Sequence, residues 1–110
     1  MIPYQPDRWI IVKIKGTDPH YRIFASWLGG YLDGDSWKLN SGIVNIKEDD
    51  NFYYFDGHSG SIYKCHKKSY GQLGSYNTGI INSLCERSGD TMECLYEIPQ
   101  DIMTMNFIIK

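Results

Sequence analysis

The chain has 110 residues, 42% of them hydrophobic and 22% charged, a length and balance that suit one folded domain and exclude a disordered segment. Lys and Arg number 11 against 13 Asp and Glu, a net charge of −2, so no global field draws the protein to nucleic acid or an anionic membrane. The three cysteines, Cys65, Cys85 and Cys94, lack paired or ligand-type spacing, which argues against a secreted disulfide scaffold and a structural zinc site.

Residues 1–7 carry two prolines and read as an extended lead-in to a single domain covering 1–110. From Arg8 to Lys15, Ile10, Val12 and Ile14 alternate with Trp9, Ile11 and Lys13, a strand's period of two. The lysines break this run, so it is neither a secretory signal nor a membrane span, and the protein is expected to be cytoplasmic. Turn residues at 16–20 lead to a second run, Tyr21 to Trp27, and two runs this close predict an antiparallel hairpin.

After a Gly-rich stretch come three short strands at meander spacing, near Ile43–Lys47, Phe52–Phe55 and Ser61–Lys67. The period then changes. Ile80, Ile81, Leu84 and Cys85 fall at helical spacing, so a helix is expected near Thr78–Ser88, with Asn77 or Thr78 at its start and Gly89 at its stop. Strand alternation returns at Met92–Ile98 and again at Met103–Ile109. The expected fold is α+β and β-rich, a twisted antiparallel sheet of about seven short strands curled over one helix, in the order βββββαββ. Its core should contain Ile10, Val12, Ile14, Ile23, Val44, Ile46, Leu84, Cys94, Tyr96 and Phe107.

Two segments carry candidate function. Trp27–Gly42 combines large aromatics with glycines, and its Trp27, Tyr31, Trp37 and Asn40 form a candidate partner-binding surface. There Trp27 is expected to be largely buried and Trp37 to lie at the surface, with Tyr31 beside it; the competing account is that these rings close the end of the sheet. Tyr63, Lys64, His66, Lys67, Lys68 and Tyr70 make a local basic patch without an acid, suited to the phosphates and bases of a single strand. A solvated strand end accounts for the same residues.

Catalytic signals are weaker. Cys65 and His66 are consecutive in a strand and point to opposite faces, so a base for that thiol would have to be His58 or His20. Ser59 lies in a sequence that departs from the nucleophile-elbow pattern at its last glycine. Neither suggests a cofactor, and no residue is assigned a catalytic role.

The string Trp27-x-Gly-Gly-Tyr31, Gly34-x-Ser-Trp-x-x-Asn-Ser-Gly-Ile43, then Ser59-Gly-Ser-x-Tyr-Lys-Cys-His66 resembles small uncharacterised proteins encoded by large tailed bacteriophages and found in marine viral sequence. The similar region runs from about Trp9 to Tyr76. The resemblance implies a viral accessory protein acting inside an infected bacterium, on a host or viral protein, and it carries no activity. The expected function is a non-enzymatic binding module. A small cysteine- or serine-dependent enzyme and a single-stranded nucleic-acid binder are the alternatives.

Overall fold

Trp9, Ile10, Ile11 and Val12 are consecutive and apolar, so a strand through them shows greasy side chains on both faces and is stable only between two layers. A computed structural model, describing residues 2–29 and 34–104, shows that arrangement. Its strands are β1 (Arg8–Ile14), β2 (His20–Trp27), β3 (Ser36–Leu39), β4 (Ile43–Glu48), β5 (Phe52–Gly57), β6 (Ile62–His66) and β7 (Met92–Leu95). A helix, α1 (Ser75–Arg87), precedes β7. One antiparallel sheet runs β3-β2-β1-β7 and the other β4-β5-β6.

Alternate residues of β1 divide between two cores. Trp9 and Ile11, with Ile23 and Ala25 of β2, meet Ile43, Phe55, Tyr63 and Cys65 across the sheet–sheet interface. Ile10 and Val12, with Phe24, meet Leu73 and Ile81 beneath α1. The layers are therefore sheet, sheet, helix.

The α+β class is the one the sequence predicts; among the described residues six of the seven expected strands and the expected helix are present, and the first hairpin pairs Arg8 with Ser26 and Ile14 with His20. Three details differ. The strands form two stacked sheets, because an apolar β1 needs cover on both faces. Strand β3 lies inside the stretch read as a loop, since Ser36–Leu39 is only four residues long and mostly exposed. Ile102–Thr104, at the start of the last expected strand, is a 3-10 turn. The remainder of that strand, Phe107 included, lies outside the described residues.

The helix begins three residues earlier than its periodicity suggests. Gly74 occupies the cap position without a side-chain cap, and Asn77 is fully buried within the first turn. Its Nδ2 donates to Ser26 Oγ at 2.7 Å and to the Ser36 carbonyl at 2.8 Å. Asn77 thus ties α1 to β2 and β3 instead of capping. Gly89 stops the helix as expected, with φ of 68° and its N–H bonded to the Glu86 carbonyl.

Of the expected core, Ile10, Val12 and Ile23 are fully buried, and Ile14, Ile46, Leu84 and Cys94 flank it half-buried. Val44 and Tyr96 are corrections, being 43% and 49% exposed. The β4–β5 register shifts between Ile43 and Asn45, leaving Val44 as the extra residue of a bulge and turning it outward. Tyr96 lies beyond the end of β7, where strand alternation no longer holds it.

Candidate functional site

Strand β3 forms one edge of the four-stranded sheet, and the lead-in residues Pro3–Gln5 lie beside it. Tyr4 is held on β6, taking the Lys64 N–H at 2.7 Å and donating its own N–H to the Ile62 carbonyl at 2.9 Å. The Trp27 indole donates to the Gln5 carbonyl at 3.0 Å, and its ring meets the Tyr4 ring edge-on at 6.4 Å. Between the lead-in and β3 opens a groove of about 570 Å³, lined by Tyr4, Gln5, Trp27, Ser36, Trp37 and Lys38 together with Pro3. The Lys38 ammonium sits 5.1 Å from the centre of the Tyr4 ring.

Of the four residues expected to form a partner surface, Trp27 and Trp37 line this groove and Asn40 does not. Trp27 is half-buried and walls the groove. Trp37 pairs with Ser26, which points toward the helix, and its ring stacks on Phe24 at 5.5 Å while remaining 37% exposed. It lies at the surface, as expected. Tyr31 lies outside the described residues.

Asn40 is 3% exposed. Its Oδ1 accepts the Ile23 N–H at 2.8 Å and its own N–H donates to the Ile23 carbonyl at 3.0 Å. The side chain replaces the backbone carbonyl as acceptor in the last rung of the β2–β3 ladder, freeing the main chain to turn into β4. Asn40 is thus a strand terminator. Tyr4 was missed because the lead-in has no periodicity; its aromatic residue between Pro3 and Pro6 was the available signal.

The lysine segment is likewise divided by strand alternation. Tyr63 is buried in the sheet–sheet core, and burial pushes its phenol pKa up. The Tyr70 hydroxyl accepts the Ile11 N–H at 3.0 Å and donates to the Leu95 carbonyl, so it joins β1 to β7. Neither ring is a stacking platform. Lys67 is bonded to Glu48 at 2.5 Å, which raises its pKa, and Lys68 is exposed.

Lys64 and His66 stand on the outer face of β6. There Lys64 lies 4.4 Å from the Phe52 ring centre, with His66 edge-on to the same ring at 4.9 Å. Tyr54 pairs with Lys64, so Phe52 and Tyr54 supply aromatic surface that the reading of Tyr63–Tyr70 missed. The Tyr54 hydroxyl donates to Asp49 at 2.7 Å; with the Asn51 and Phe52 amides, this bond lowers the Asp49 pKa.

Cys65 is fully buried in the sheet–sheet core, and burial holds its pKa well above the usual thiol range. Cys85 and Cys94 come together where α1 rests on β7, with their sulfurs 2.7 Å apart; burial and this neighbour push the Cys85 pKa up to about 12. Ser59 is bonded to the Ser41 hydroxyl through both its N–H and its Oγ. Among the described residues no three His, Cys, Asp or Glu side chains are grouped to hold a metal, and no helix is long and apolar enough to cross a membrane.

No protein-family model matches this chain, no curated protein is similar to it, and no solved structure matches it.

Proposed function

We propose that this protein is a non-enzymatic interaction module that receives an extended segment of a partner protein along the outer edge of β3. The carrying observation is an unpaired strand edge beside an aromatic groove. Asn40 N–H bonds to the Ile23 carbonyl, so by antiparallel alternation Ser36 and Lys38 face β2 while Trp37 and Leu39 turn their backbone groups outward. Among the described residues those outward groups have no strand partner. An added strand would take its affinity from them and its specificity from one apolar side chain seated in the groove against Tyr4, Trp27 and Trp37. Lys38 at the rim favours a neighbouring acid in the partner. The resemblance to phage-encoded proteins supports a host or viral protein as that partner, met in the bacterial cytoplasm.

The test is capture from phage-infected host lysate, with and without nuclease, followed by amide exchange on the purified complex. Slowed exchange at Trp37 and Leu39, and loss of capture by Trp27→Ala or the milder Tyr4→Ala with an intact melting transition, are the expected results. Protection confined to another strand would refute the proposal.

A second reading is favoured by the outer face of β4-β5-β6, where Phe52, Tyr54, Lys64 and His66 stand together. Such a face suits single-stranded nucleic acid. Replacing Lys64, Lys67 and Lys68 with Ser should then abolish a binding that weakens steeply with salt. Salt-independent binding, or none at low salt, removes this reading.

A further inference from the structure

A second cavity, of about 370 Å³, opens where the β1–β2 turn, the Ser41–Val44 segment and the β5–β6 turn meet, and it shares no lining residue with the groove at β3. His20 and Arg22 are two apart on β2 and so share a face of that strand. His20 Nδ1 lies 2.7 Å from the Asp18 carbonyl oxygen, and Arg22 Nε lies 2.9 Å from His20 Nε2. A carbonyl only accepts and a guanidinium only donates. His20 therefore carries its proton on Nδ1 and meets the guanidinium with a lone pair.

The consequence for Arg22 is specific. A neutral ring orients its guanidinium through Nε, while the two terminal nitrogens have no partner among the described residues. Asp18 is the acid in the lining, and it is not within ion-pair distance of Arg22. A half-buried guanidinium whose fork is open and unneutralised matches the paired oxygens of a carboxylate or phosphate.

The backbone has also been shaped around this fork. Gly42 has φ of 127°, a conformation that favours glycine, and a Cβ there would press on the His20 ring at 3.3 Å from Cδ2. The bulge that follows turns Val44 out of the core, and its exposed side chain gives the cavity an apolar wall. His58, at the rim, anchors the β5–β6 turn by donating its N–H to the Gly42 carbonyl at 2.8 Å.

We infer that this cavity binds a small organic oxyanion, a carboxylate or a phosphate monoester, with its charge on the open fork of Arg22 and its apolar part against Val44. The site is independent of the strand-edge reading, because it uses different residues of the fold.

The experiment is a heteronuclear NMR titration of the full chain with benzoate, phenyl phosphate and, as the uncharged control, benzyl alcohol. Saturable shifts of the Arg22 Nε–H and the Gly42 amide are expected with at least one anion, and which anion saturates first separates the two sources. Arg22→Gln should weaken that binding by about tenfold or more, the effect of losing a charge-assisted pair. Val44→Glu, a change at an exposed position, should weaken it by like-charge repulsion without relying on Arg22 variants that fold. Absence of saturation with either anion up to on the order of 10 mM, where even weak specific sites fill, would overturn the inference. Equal binding by benzyl alcohol, or by a folded Arg22→Gln, would overturn it as well.

Discussion

Replacing Tyr70 with Phe should remove a wedge from the end of the β1–β7 ladder. Ile11 and Leu95 are register partners, and the Tyr70 hydroxyl is placed between them, accepting from the Ile11 N–H and donating to the Leu95 carbonyl. Each neutral hydrogen bond contributes about 0.5–1.5 kcal/mol net, so Tyr70→Phe should destabilise by about 1–3 kcal/mol. The upper end applies if the amide of fully buried Ile11 is left unpaired, and the lower end if β7 slides in and closes the ladder directly. Urea titration followed by tryptophan fluorescence would read the loss as a lower midpoint with an unchanged slope.

The same residue predicts an alkaline signature. Burial pushes the Tyr70 pKa from 10.0 to about 12, so the folded state keeps the phenol protonated after the unfolded chain has released its proton. Its contribution is fully present below pH 10 and is lost as pH rises toward 12, by at most about 2–3 kcal/mol and less with solvent screening of the half-buried ring. The difference in stability between wild type and Tyr70→Phe should therefore shrink across that window. An unchanged midpoint at neutral pH, or parallel alkaline losses in both proteins, would refute this assignment of the hydroxyl.

Ile46→Ala should cost about 1–3 kcal/mol because Ile46 is only half-buried against the sheet–sheet core, whereas Val44→Ala should stay within about 0.5 kcal/mol; denaturation midpoints distinguish them. Asn77→Asp should destabilise by about 3 kcal/mol or more, since it removes a donor from two bonds and buries a charge. Asn77→Ala should cost less, because it also removes the buried Oδ1 that has no partner; thermal melts of the pair give the comparison. Thiol labelling should count three reactive cysteines after denaturation and find Cys65 the slowest in the native protein, and fewer than three would show a disulfide.

Much of this architecture was legible because local periodicity reports one-sided burial. The β1–β2 hairpin, the meander through β4, β5 and β6, the helical stripe around Ile81 and the stop at Gly89 each follow from spacing within about a dozen residues. The same reasoning correctly set Cys65 and His66 on opposite faces of their strand and Trp37 at the surface. It misjudged Val44, whose alternation is interrupted by a bulge with no marker in the side-chain pattern.

Tertiary structure alone decided which residues meet. Which elements cover the two faces of Trp9–Val12 depended on strands and a helix distant in sequence, with β4–β6 over Trp9 and Ile11 and α1 over Ile10 and Val12. Asn40 and Asn77 look like surface residues in the sequence, yet each completes a hydrogen-bond deficit created only when β2 gains its neighbours. The open fork of Arg22 beside His20 and the groove beneath Tyr4 likewise arise from segments brought together by folding. Pattern along a chain records what each element must bury; a site depends on the three-dimensional convergence of elements, which that pattern does not encode.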